Sequence, residues 1–129
     1  MMRSEAGSIA DYSLEMEDRD GYLYAVAGGA KLTPQISAAY WNEIAGRCFE
    51  NNVDRILIEK DFPEGVGPEE MLLMADHLGS LLPGRRIAFI DRHQHTPINE
   101  LGKKLARNRD VMLQIFESVA AAEKWLRAN

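Results

Sequence analysis

The chain has a single cysteine, Cys48. No intrachain disulfide can form, and a lone thiol inside an apolar helical pattern reads as a small buried hydrophobe in preference to a reactive group. Long apolar runs are also missing. The longest stretch of uninterrupted apolar and glycine residues is Tyr22 to Ala30, far short of the roughly 20 residues a spanning helix needs. Positive charge is not in excess: 15 Lys and Arg stand against 20 Asp and Glu, a formal net charge of -5. That balance disfavours a nucleic-acid protein. The first residues hold no apolar segment followed by a cleavage site, so the simplest expectation is a soluble cytoplasmic protein.

What is present suits one globular domain. At 129 residues, with 46% hydrophobic and 27% charged, the chain is long enough for a sizeable core and too apolar for general disorder. Residues 1–10 read as a loose lead-in and 11–129 as the domain. Tyr12, Leu14 and Met16 alternate with Ser13, Glu15 and Glu17, the period of a strand with one wet face. Asp18-Arg19-Asp20-Gly21 carries an Asp-Gly turn signal, and Tyr22 to Ala27 reads as a second strand paired antiparallel to the first. Thr33-Pro34 is a cap followed by a proline at the first helical position. The helix that follows has Ile36, Tyr40, Ile44 and Cys48 on one row and Trp41, Ala45 and Phe49 on the next.

The short run Ile56-Leu57-Ile58 turns polar at Glu59 and enters the Gly/Pro-rich loop Asp61 to Pro68. It reads as a buried strand between two helices, the unit of a parallel sheet. The second helix begins at Gly67-Pro68, with Glu69 and Glu70 in its first turn, and ends at Pro83-Gly84. A further strand over 85–90 leads to Asp91-Arg92-His93-Gln94-His95 and a second cap-plus-proline start, Thr96-Pro97. Ile98, Leu101, Leu105 and Ala106 form the inner stripe of that helix. A last strand over 111–116 precedes a helix capped by Ser118, with Val119, Ala122, Trp125 and Leu126 inward. The expected fold is a single α/β domain with a mixed, mostly parallel sheet of about five strands and four helices, in the order β-β-α-β-α-β-α-β-α.

This order, with Gly21-Tyr22-Leu23-Tyr24, the helix Ile36 to Phe49, the strand Arg55 to Glu59 and the ending Phe116 to Leu126, resembles the STAS fold of anti-sigma-factor antagonists. It is most similar to the SpoIIAA-like family of small bacterial proteins. Antagonists of the STAS type carry a phosphorylatable serine where the second helix begins. Here Asp61 to Glu70 contains no serine or threonine, so the resemblance transfers no acceptor for a kinase. It implies instead a domain that binds an apolar small molecule, with peripheral membrane association as a further implication.

Ligands of open α/β sheets gather outside the carboxyl ends of the parallel strands. At that rim, Arg92 and the free amides at Thr96-Pro97 suit a phosphate or carboxylate, which makes Arg92, His93, His95 and Thr96 the candidate anion-binding set. Lys103, Lys104, Arg107 and Arg109 form a basic face nearby. Two histidines at spacing two make a metal site only with further ligands such as Asp61 or His77, so no metal is expected. Gly28-Gly29 lacks the G-x-G-x-x-G spacing of a dinucleotide site, no other cofactor signature is present, and no catalytic set assembles from spacing alone. Met71, Leu72, Leu73, Met74, Leu78, Leu81 and Leu82 give the second helix more apolar surface than one packed stripe requires, which can mark a ligand groove or an oligomer interface. Phe62, Met71, Met74 and Leu78 are therefore the candidate apolar ligand-binding set. The loop glycines Gly65 and Gly67 suit a hinge that lets this helix swing. The expected function is a non-enzymatic binding or regulatory module, taking a small apolar ligand or a protein partner on the second-helix side, with homo-oligomerisation open. The alternative is an enzyme acting on a small anionic substrate at the rim through Asp61, Arg92, His93 and His95.

Overall fold

A computed structural model describes residues 11–128; the expected lead-in over 1–10 lies outside the described residues. The elements are β1 (Ser13–Arg19), β2 (Tyr22–Gly28), α1 (Pro34–Asn51), β3 (Arg55–Asp61), α2 (Pro68–Leu81), β4 (Arg86–Asp91), α3 (Thr96–Arg107), β5 (Met112–Ile115) and α4 (Val119–Arg127). They form one five-stranded sheet in the order β1-β2-β3-β4-β5. β1 is antiparallel to β2, and the other neighbours are parallel, the expected α/β arrangement.

Local chemistry explains most boundaries. Thr33 accepts a hydrogen bond from the Ile36 amide at 3.1 Å, and Pro34 follows at the first helical position. Asn52 closes α1 in the left-handed region, with φ 56°, a conformation asparagine tolerates. β1 runs to Arg19, two residues beyond the expected Glu17, because Arg19 still pairs with Tyr22. The turn is thus Asp20-Gly21 alone, and of the two only Gly21 has positive φ, 86°. β3 likewise continues past Glu59 to Asp61, since Gly28 and Asp91 extend the ladders on its two sides. β5 is shorter than 111–116, although Val111 is fully buried.

The two sheet faces are covered unequally. Leu23, Ala25, Ile56, Ile58, Ile87 and Leu113 join the buried residues of α1, α2 and α3 in the larger cluster. Leu57, Ala88 and Ile90 pack with Ala122 and Leu126 of α4 on the opposite face. Alternation along each strand divides the two sets. One expected core position fails: Phe49 is 55% exposed. It lies near the end of α1, past the buried row that stops at Cys48, and the Arg85 guanidinium covers its ring at 5.3 Å. Among the described residues no helix is long and apolar enough to cross a membrane.

Candidate functional site

α2 divides its apolar residues between two surfaces. Met71, Met74, Ala75 and Leu78 are buried toward the sheet. Leu72 and Leu73, between them, are 44% and 60% exposed. A helix turns about 100° per residue, so a run of four apolar positions cannot all face one way. Gly67 precedes the helix, and the Glu70 carboxylate accepts from the Gly67 amide at 3.1 Å. The loop before it is tied back by backbone bonds: Leu32 donates to Glu64 at 2.9 Å, and Glu64 to Ala30 at 3.3 Å.

The candidate apolar set is only partly assembled around one space. Met71, Met74 and Leu78 line a narrow seam of about 50 Å³ with Ser37, Trp41 and Phe89. Phe62 stacks on Tyr40 with ring centroids 6.2 Å apart and lines, with Met71, a smaller gap of about 20 Å³. A cavity that holds benzene is roughly 150 Å³, so neither space admits a ligand of that size with α2 in place. The Ser37 and Tyr40 hydroxyls are buried and have no hydrogen-bond partner among the described residues.

The rim at the ends of β3 and β4 is a network of matched charges. The Asp91 carboxylate accepts from the backbone amides of His93 and His95, both at 2.9 Å, from His95 Nδ1 at 2.9 Å and from Asn99 Nδ2 at 2.8 Å. Burial pushes the Asp91 pKa up, but these hydrogen bonds outweigh it and bring it down to about 2. The other His95 nitrogen, Nε2, is 3.1 Å from the Pro63 carbonyl. An acceptor at each nitrogen favours the imidazolium form of the ring. Burial lowers the His95 pKa, and the bonds to Asp91 and Pro63 more than reverse this, so it lies above its ordinary value. Through Asp91 and the Pro63 carbonyl, His95 links the β3–α2 loop to the end of β4.

Arg92 donates through Nε and Nη2 to one oxygen of Glu59, at 3.0 and 2.8 Å, and through Nη1 to Asp61 at 3.4 Å. The Tyr24 hydroxyl donates to the other Glu59 oxygen at 2.6 Å. Burial, and then Glu59, push that phenol up to about 12. His93 Nε2 lies 2.8 Å from Asp61. The structure therefore brings Arg92, His93, His95 and Thr96 into one turn, and each of the three basic groups meets a carboxylate of this chain. Thr96 is not the expected cap. It lies inside α3, and its hydroxyl donates to the Gln94 carbonyl at 3.3 Å. Asp91 does the capping from upstream by taking the His95 amide. Among the described residues no group of three or more His, Cys, Asp or Glu is placed to hold a metal ion, and His77 bonds Asn42 of α1 at 3.1 Å.

Three site residues escape a reading of the sequence: Glu59, Asp91 and Asn99. Glu59 shares a strand face with Leu57 and is only 7% exposed; that alternation was its one available signal. Beside this network, Glu59, Asp91, Arg92 and Asn99 also border an open cleft of about 390 Å³ that reaches Phe116 and Ser118.

No known family model matches the sequence, and no curated protein matches it. A solved structure does match in three dimensions: an anti-sigma factor antagonist from Mycobacterium paratuberculosis. It superposes with a TM-score of 0.62 at 14% identity, over 91% of this chain and 95% of that one. The fold is therefore the STAS-like fold of that antagonist.

Proposed function

We propose that the chain is a non-enzymatic regulatory module that works by binding another protein through the outer face of α2. The observation that carries this reading is the pair Leu72 and Leu73, exposed at 44% and 60% on a helix whose inner face already fills the core. Neighbouring exposed leucines on a helix provide the apolar centre that a protein interface needs. The fold match supports the same class, since the solved neighbour is described as an antagonist of a protein factor. Asp61 to Glu70 offers no hydroxyl to a kinase, so this reading includes no phosphoserine switch at the start of α2. The setting is the cytoplasm.

The expected small apolar ligand is the second reading. It rests on the seam lined by Met71, Met74 and Leu78, and it requires α2 to swing outward about Gly65 and Gly67. The test of the first reading uses tagged protein to isolate a partner from the host, then reconstitution of the complex from purified components. The double variant Leu72→Glu/Leu73→Glu is expected to weaken that complex at least about tenfold, as loss of an interface centre does, with melting unchanged. Equal affinity of variant and wild type would move the interface elsewhere.

A further inference from the structure

We propose that the seam beneath α2 binds a short-chain aliphatic carboxylate. It lies among α1, α2 and α3, over β3, β4 and β5, and Trp41, Met74, Leu78 and Phe89 give it apolar walls. At about 50 Å³ it has room for roughly four water-sized groups of about 10–15 Å³ each. An acid of about two to four carbons therefore fits with α2 in place. Such a ligand requires no outward swing of the helix. It occupies the inner face of α2, apart from the docking leucines Leu72 and Leu73.

The lining selects the charge. Among the described residues two lysines, Lys60 and Lys103, line the seam and no carboxylate does, in a chain whose formal net charge is -5. Lys60 follows Ile58 on the sheet face that α1, α2 and α3 cover, by the alternation of a strand. Its ammonium lies over the Phe89 ring at 4.9 Å and the Tyr40 ring at 5.7 Å. Ring faces attract the cation but offer no oxygen to its three N–H donors. Among the described residues that ammonium makes no hydrogen bond or ion pair. Asp91 stands beside Lys60 in the ladder, but its carboxylate is taken by His93, His95 and Asn99. Lys103 has only a 3.9 Å contact with Glu100, whose side chain is 53% exposed. The rim differs in this respect, since Arg92, His93 and His95 each meet a carboxylate there.

Ser37 points the same way independently of the lysines. It is 1% exposed and lines the seam from α1, and its hydroxyl has no hydrogen-bond partner among the described residues. A serine inside a helix can turn its hydroxyl back to the carbonyl four residues earlier. Here the Thr33 carbonyl takes the Ser37 amide at 2.9 Å, and the hydroxyl does not join it. A buried hydroxyl without a partner calls for one. A carboxylate can only accept, so it suits the Ser37 O–H and the lysine N–H groups together. An uncharged apolar ligand would leave all of these unmatched.

The test titrates sodium propionate, its near-isosteric neutral amide propionamide, and sodium chloride into the isotope-labelled full chain, followed by backbone amide NMR. Propionate is expected to shift the amides of 37–41, 58–60 and 71–78 saturably at millimolar concentration, a range suited to so small a ligand. Propionamide and chloride are expected not to. Ser37→Ala removes a buried hydroxyl that has no partner, so in urea it should be at least as stable as the wild type. It should nevertheless weaken propionate about tenfold, as loss of a hydrogen bond to a charged group does. Lys60→Met keeps an apolar stem and should weaken propionate by about as much, and Leu72→Glu/Leu73→Glu should leave it unchanged. Four results would overturn the proposal. One is no saturable shift with propionate at these amides. The second is equal binding of propionamide, which would make the seam apolar without choice of charge. The third is the same shifts with chloride, which would mean that the lysines attract any anion. The fourth is propionate affinity that Ser37→Ala and Lys60→Met both leave unchanged.

Discussion

Replacing Asp91 with asparagine should destabilise the protein at neutral pH and leave it nearly as stable as the wild type in acid. The Asp91 side chain is 7% exposed and accepts four hydrogen bonds, from two backbone amides, His95 and Asn99. A carboxyl held at about 2 instead of 3.8 contributes about 2 kcal/mol at neutral pH, at about 1.4 kcal/mol per pKa unit. Because the folded value is the depressed one, the contribution is complete above the unfolded value near 3.8 and is lost as pH falls toward 2. The Asp91→Asn side chain would keep one acceptor oxygen but would turn an N–H donor toward another donor, so the full loss is expected at pH 7. For a 129-residue chain that corresponds to a melting point lower by roughly 6–8 °C. Urea denaturation of both proteins from pH 7 down to pH 2 is the assay. A gap between them that stays constant over this range, or no gap at pH 7, would refute the assignment of Asp91 as the charged anchor of α3.

Three further outcomes follow from the same contacts. His95 has a raised pKa, so its contribution is complete below about pH 6.5, its ordinary value, and fades as pH rises through the folded value; His95→Gln should flatten the fall in stability above that pH, and an NMR titration of the ring should show the raised midpoint. Arg92→Met leaves the buried Glu59 with Tyr24 alone and should cost about 1–3 kcal/mol, of which a part returns when Glu59→Gln is added, since the two sites share one network; a denaturation cycle of the four proteins measures this. Ile58→Ala, at a position with 0% exposure, should cost about 2–5 kcal/mol, whereas Leu73→Ala should stay within about 0.5 kcal/mol by the same assay.

The elements that sequence reading located correctly are those fixed by local chemistry. Thr33-Pro34 and Asp20-Gly21 each act within a few residues of themselves, and the period-two pattern of Leu14 and Met16 states which face of β1 is wet. The rim was harder because its partners are distant in the chain. Glu59 looks like the polar end of a strand until Arg92, 33 residues later, is placed beside it. Thr96 fits a cap in isolation, but Asp91 reaches the amides first. The excess of apolar residues on α2 was visible, yet which of them face outward depends on where α1 and α3 lie. The candidate anion residues and one carboxylate that meets them, Asp61, are legible in the sequence as a group, whereas Glu59 and Asp91 are not legible as their partners, since acidic residues in separate strands carry no mark of shared location.

The docking role of α2 is tested most directly by amide hydrogen exchange on the chain alone and in complex with its reconstituted partner. The expected result is new protection concentrated in α2, Pro68–Leu81, with β3 and α4 unchanged. Protection confined to other elements, with α2 exchanging as it does in the free protein, would contradict the account.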